Sequence, residues 1–159
     1  MKYLWLFLFA FQAFALDCQK MLDYVFENLP ECGTLKQDKY GFTYVDIPDD
    51  YIYGLVPEGF EPPDYFGPEL VGAHISVIYQ PEAVEYNLVG KVKETPVSFT
   101  VTDCAIVHPD PDSELCILVV ESPKLERIRK FYGLPKAKYP FHITIGVRKG
   151  EELVQKPSA

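Results

Sequence analysis

Apolar residues recur along the chain with two different periods, and the switches between them mark out the elements. Met21, Leu22, Val25, Phe26 and Leu29 fall three or four apart, so Asp17 to Leu29 is predicted as one amphipathic helix, ended by Pro30. Apolar, β-branched and aromatic runs then predict strands at Phe42 to Ile47, Ala73 to Tyr79, Tyr86 to Lys93, Ser98 to Val107, Leu115 to Val120 and Phe141 to Val147. A second helix precedes the last strand. Its signals are Ser122 as N-cap, Pro123 at the first helical position, Leu125, Ile128 and Tyr132 on one face, and Gly133 as the stop. The long segment Tyr40 to Leu70, which contains the first of these strands, mixes Pro, Gly and acids with Tyr40, Phe42, Tyr44, Tyr51, Tyr53, Phe60, Tyr65 and Phe66. Its Pro57 to Pro63 portion is predicted as a loop. Those rings suit either a lid that stacks on a base or irregular packing over a sheet edge. The tail Glu151 to Ala159 is predicted to fray. No internal repeat shows by residue identity, and there is no low-complexity tract.

The N-terminus breaks this pattern. Met1-Lys2, the apolar run Tyr3 to Phe11 and then Ala13-Phe14-Ala15 form the positive, apolar and small-x-small regions of a secretory signal peptide, with cleavage expected after Ala15. The run is shorter than the roughly 20 residues of a bilayer-spanning helix, so no stable membrane anchor is expected. Asp17 before Cys18 does not resemble a lipoprotein box. The expectation is a secreted or periplasmic protein with one domain over residues 16–159. At 48% hydrophobic and 24% charged residues, the composition supports a real core. A net charge of −8 argues against a clamp that holds long nucleic acid by charge, but leaves room for a small anionic substrate.

Export makes disulfides the expected state of the four cysteines, Cys18, Cys32, Cys104 and Cys116. Centring the hairpin of the fourth and fifth predicted strands on Asp110 sets Cys104 opposite Cys116, which predicts a cross-strand bond. Cys18 and Cys32 then bracket the first helix as the second pair. The connecting turn carries His108, expected to be an exposed turn residue.

Two short phrases carry the candidate chemistry: His74-Ile75-Ser76-Val77 and His142-Ile143-Thr144-Ile145. In a strand, residues i and i+2 share a face, so each histidine projects beside its own hydroxyl while the isoleucines face away. Serine and threonine together occupy eleven positions, so chance would give two of the three histidines a hydroxyl at +2 only about once in a hundred sequences. The phrases, with Gly72-Ala73 before the first and Tyr139-Pro140-Phe141 before the second, resemble the two-histidine (2H) phosphoesterases. That resemblance covers Phe42 to Lys149. It implies a bilobal, pseudo-twofold α+β fold with antiparallel sheets and flanking helices, and hydrolysis of 2′,3′-cyclic or related cyclic phosphates of nucleotides or RNA ends.

Cleaving a cyclic phosphodiester needs a base to activate water and an acid to protonate the leaving oxygen, and histidine suits both near neutral pH. His74 and His142 are therefore the expected catalytic pair. Ser76 and Thr144 are the expected donors to the non-bridging phosphate oxygens. The scheme requires no metal and no cofactor. Residues 124–149 hold Lys124, Arg127, Arg129, Lys130, Lys136, Lys138, Arg148 and Lys149 against Glu126 alone, whereas residues 17–123 hold five bases and twenty acids. Such a basic stretch would either steer phosphate inward or form a solvated face paired with the acidic half. Lys136 and Lys138, just before the second phrase, are the best phosphate ligands in it.

Other readings compete for the same residues. The histidines could be strand residues satisfied by backbone bonds, or two ligands of a metal site, although no third ligand is distinctively spaced and no HExxH or Cys/His zinc pattern occurs. The absence of G-x-S-x-G, P-loop and dinucleotide fingerprints removes support from serine hydrolases, nucleotide triphosphatases and Rossmann enzymes. The alternative of another class is a secreted binding domain that keeps the pocket, catalyses nothing, and recognises a nucleotide or a protein through the aromatic loop.

Overall fold

The computed structural model describes residues 18–65 and 70–150. The segment 1–15 expected to be a leader, Asp17 at the start of the expected first helix, Phe66 of the aromatic segment and the tail Glu151 to Ala159 lie outside the described residues. The strands are β1 Cys32–Gln37, β2 Thr43–Asp46, β3 His74–Ile78, β4 Thr95–Ser98, β5 Thr100–Asp110, β6 Ser113–Glu121 and β7 His142–Lys149. The helices are α1 (18–28), α2 Asp50–Tyr53, α3 Gln80–Glu85 and α4 Pro123–Phe131. All seven strands join one antiparallel sheet in the order β4-β1-β2-β3-β7-β6-β5, which makes the fold α+β. Among the described residues no helix is long and apolar enough to cross a membrane.

The sheet cannot be flat. β4 and β5 occupy its two opposite edges, yet only Phe99 separates them in the chain. Six flat inter-strand spacings would hold the edges about 29 Å apart. The step from Ser98 to Thr100 reaches only about 7 Å. The sheet therefore curls into a half-barrel whose edges meet at Phe99. Glu31 ties the seam: its carbonyl accepts from Phe99 N at 3.0 Å and its carboxylate accepts from Val101 N at 2.8 Å.

Alternation assigns the two faces. Val45, Ile75, Val77, Ile143 and Ile145 are fully or almost fully buried in one core with Val25 of α1 and Leu125 of α4. Each such Val or Ile is worth about 1.5–3 kcal/mol of burial, so a one-residue register slip would forfeit the core. Residues 44, 46, 74, 76, 142 and 144 consequently share the opposite face. Near the end of β7 the partner strand β3 has stopped, and the loop after α2 takes its place: Glu61 exchanges both backbone bonds with Val147. Gly146 permits that approach, since a Cβ there would lie 2.9 Å from Phe60 Cβ.

Local signals served well where local chemistry decides. In α4, Ser122 Oγ accepts from Leu125 N at 3.2 Å and Pro123 opens the helix, as the sequence indicates. Four expectations need correction. The strand expected at Tyr86 to Lys93 is absent; a series of turns that follows α3 stands in its place, with Tyr86, Asn87 and Leu88 donating back to Glu82, Val84 and Ala83. Pro81 starts that helix and Asn87 adopts φ 55°, which no strand accommodates. The single strand expected at Ser98 to Val107 is two strands, broken at the seam. β1 was not anticipated, because only Leu35 within it is fully buried, and neither was α2. The disulfide pairing also differs. The β5–β6 register sets Cys104 against Leu118 and Cys116 against Ile106, so the hairpin is centred one residue later than expected and the two cysteines miss each other. Cys104 instead bonds Cys18 of α1, with 5.7 Å between their Cα atoms. Cys32 and Cys116 are free thiols, the first exposed and the second buried.

Candidate active site

β3 and β7 meet at the centre of the sheet with Ile75 opposite Ile143. The antiparallel register around that pair sets His74 across from Thr144 and Ser76 across from His142. Directly opposed residues have Cβ atoms about 4.5–5.5 Å apart, so two histidines and two hydroxyls form a single quartet on the non-core face. Each motif places its histidine against the other motif's hydroxyl. The pseudo-twofold relation implied by the paired phrases is thus present in the strand register.

The two imidazoles are held alike. His74 Nδ1 lies 2.8 Å from the Gly72 carbonyl and His142 Nδ1 lies 2.8 Å from the Pro140 carbonyl, two residues upstream in each case. A carbonyl only accepts, so Nδ1 carries the proton and Nε2 is left for chemistry. Gly72 is required for this. It has φ +71°, and a Cβ there would lie 2.5 Å from Asp49 Oδ1, the atom that accepts from Ala73 N at 3.0 Å. Sequence reading gave no role to Gly72 or Asp49.

The surroundings of the two rings differ. On the β2 side, Asp46 pairs with His74 and Tyr44 with Ser76. Phe42, Tyr44 and Tyr65 approach the His74 ring edge-on, with centroids 5.7, 6.0 and 4.9 Å away. Burial among them pushes the His74 pKa below 6.5, the nearby His142 adds to the lowering, and the Gly72 bond and Asp46 oppose it. Asp46 also makes a 2.7 Å ion pair with Lys36 of β1. On the β6 side, Ile117 faces Thr144 and Val119 faces His142. A cavity of about 320 Å³ beside His74 is lined by Asp46, Asp49, Tyr65 and Gly72 among others.

Phe42, Tyr44 and Tyr65 of the aromatic segment stand around His74, and other members do not. Tyr51 is core, with its hydroxyl donating to the Pro30 carbonyl, and Phe60 packs under the Arg148 guanidinium. The basic stretch also divides. Arg129 is buried and donates to Glu82, Val77 O and Pro135 O. Arg148 pairs with Glu114, and Lys124 donates to the Pro96 carbonyl. Lys136 and Lys138 are exposed on the segment entering β7 and line a groove of about 980 Å³ with Lys130, Tyr139 and Phe141. The residues recorded around that groove include Phe141 but not the quartet itself. His108 is exposed, at the end of β5 rather than in the turn. Among the described residues no three His, Cys, Asp or Glu side chains gather to hold a metal ion.

A family model described as Swiss Army Knife, 2H phosphoesterase domain, matches residues 43–152, well over half of the chain. That span begins at β2 and contains both histidine motifs. No curated protein and no solved structure matches the sequence.

Proposed function

The chain belongs to the 2H phosphoesterases, and from that premise we propose that it is an exported, metal-independent cyclic phosphodiesterase acting on 2′,3′-cyclic or related cyclic phosphates of nucleotides or RNA ends. The observation that carries this reading is the quartet, in which each histidine faces the other motif's hydroxyl and both Nδ1 atoms are tied back. His74, depressed in pKa by its burial, is the base. Its Nε2 takes a proton from water as the water oxygen attacks phosphorus. The ring P–O bond breaks, and the departing oxygen takes a proton from Nε2 of protonated His142. Ser76 and Thr144 donate to the non-bridging oxygens, where charge is held through the transition state. Solvent then returns the proton balance, since His74 ends protonated and His142 neutral. Lys136 and Lys138 supply a positive approach on the β7 side. The leader-like segment 1–15 and the Cys18–Cys104 bond support an oxidising compartment.

The test is turnover of a panel of 2′,3′-cyclic mononucleotides and ADP-ribose cyclic phosphate by the oxidised mature chain with EDTA present, beside His74→Ala and His142→Ala. Activity in the parent that both substitutions remove is the expected result. Equal background in three folded proteins would refute the catalytic reading and favour a non-catalytic binding domain.

A further inference from the structure

Tyr65 is a side chain from outside the two motifs that stands beside both. Its ring lies against His74 with centroids 4.9 Å apart, and its hydroxyl is near enough to Thr144 on the other strand for Thr144 to oppose the rise of its pKa. Its backbone is fixed as well: the Tyr65 carbonyl accepts from Gly72 N at 2.9 Å, and Gly72 is the residue that holds the His74 ring. The main chain therefore locks Tyr65 to the first motif while its side chain reaches the second.

Resting on the reading that the quartet binds a phosphate, we propose that Tyr65 is a further substrate-binding residue, whose phenolic O–H donates to a non-bridging phosphate oxygen beside Thr144. Two neutral hydroxyls that face each other can share at most one proton, so the other is open to a further acceptor. An anionic oxygen arriving between them accepts from both, gaining two charge-assisted hydrogen bonds. Burial keeps the Tyr65 phenol above its ordinary pKa, with Thr144 opposing, so the group stays a donor across the working pH range. Ser76, Thr144 and Tyr65 then surround the phosphate on three sides, with Tyr65 contributed by the loop rather than the sheet.

The experiment compares Tyr65→Phe with the parent in kcat/KM for the cyclic nucleotide panel and in affinity for inorganic phosphate, read from the histidine ring signals in an NMR titration. Phenylalanine keeps the ring against His74 and removes only the hydroxyl. The expected losses are about 10- to 100-fold in kcat/KM and about 10-fold in phosphate affinity. In the unaltered protein, phosphate should also move the Tyr65 ring signals together with those of the histidines, a measurement that needs no variant to fold. Weaker phosphate binding in Tyr65→Phe alongside an inactive parent would sink the catalytic reading and leave the Tyr65 donor standing. Unchanged or tighter phosphate binding, or Tyr65 signals that ignore phosphate, would overturn the Tyr65 assignment while an active parent kept the catalytic one.

Discussion

The half of the sheet beside His74 and the half beside His142 present different chemistry to what is locally the same motif. β2 offers Tyr44 and Asp46 to the first motif, and Phe42 and Tyr65 close around its ring. β6 offers Ile117 and Val119 to the second. Within each motif the hydrogen bonding is the same, with Nδ1 on the carbonyl two residues back. Strand geometry thus makes the histidines equivalent, and their neighbours make them unequal. A proton-transfer pair needs that inequality, because one ring must be neutral while the other is charged. The lowered pKa of His74 has its largest cause in burial, which the aromatic side of the site supplies.

The strongest way to break the comparison is to delete one ring at a time. Under the proposed mechanism, His74→Ala and His142→Ala each lower kcat by about 10²- to 10⁴-fold, and the double variant falls little further because the pair acts as a unit. A large loss from only one of them would mean that the β2 half or the β6 half works alone. Next in size is an exchange at the two backbone holds. Gly72→Ala forces a side chain into left-handed backbone and against Asp49, at a cost of about 1–3 kcal/mol in stability and about 10- to 100-fold in kcat/KM. Pro140→Ala keeps the carbonyl that holds His142, so its turnover should stay within a few-fold of the parent. Thermal melts and steady-state rates on the two variants check this contrast.

A smaller effect sharpens it through pH. If His74 must be neutral, the acid limb of kcat/KM lies below 6.5, since burial holds its proton less tightly than water does. Replacing Phe42 and Tyr44 by alanine admits water and moves that limb upward toward 6.5. Around the ring, His142 still lowers the pKa while Asp46 and the Gly72 carbonyl still raise it. Because the two histidines are coupled, each limb belongs to the pair, and the diagnostic is the direction of movement. A limb that stays in place would mean that the rings of Phe42 and Tyr44 do not set the base.

Legibility in the sequence followed the range of the interaction. The Ser122–Pro123 helix start and the two His-x-Ser/Thr phrases each lie within a few residues, and the structure has the helix start and has both phrases on strands. Belonging to the 2H phosphoesterases was legible from those phrases alone. The quartet is different in kind: setting His74 against Thr144 requires two strands sixty-eight residues apart to pair in one register, which no local pattern specifies. Asp46 and Tyr44 join the site only because β2 is the other neighbour of β3. Tyr86 to Lys93 failed for a related reason. Its apolar spacing suits a strand, but Glu82 is held by the buried Arg129, and this long-range pair fixes α3 and the turns after it.

The smallest expected effect on turnover concerns the cysteines, where one half of the sheet is stapled and the other is not. The Cys18–Cys104 bond fastens α1 to the β5 edge across a separation of 86 residues, and it touches neither motif. Replacing both cysteines by serine should cost about 2–5 kcal/mol of stability while leaving kcat/KM of the folded fraction nearly unchanged. Thiol labelling tests the pairing itself. In the oxidised native protein, Cys32 is exposed and should react quickly. Cys116 is 1% exposed, and burial pushes its thiol up to about 11, so it should react only after unfolding. One fast and one hidden thiol distinguish this connectivity from two disulfides, which would leave none even in denaturant. Peptide mapping would then separate a Cys32–Cys116 bond added to this one from a Cys104–Cys116 bond, and the latter would require β5, an edge strand, to slip along β6 while β6 keeps Ile117 and Val119 against the histidine motif of β7.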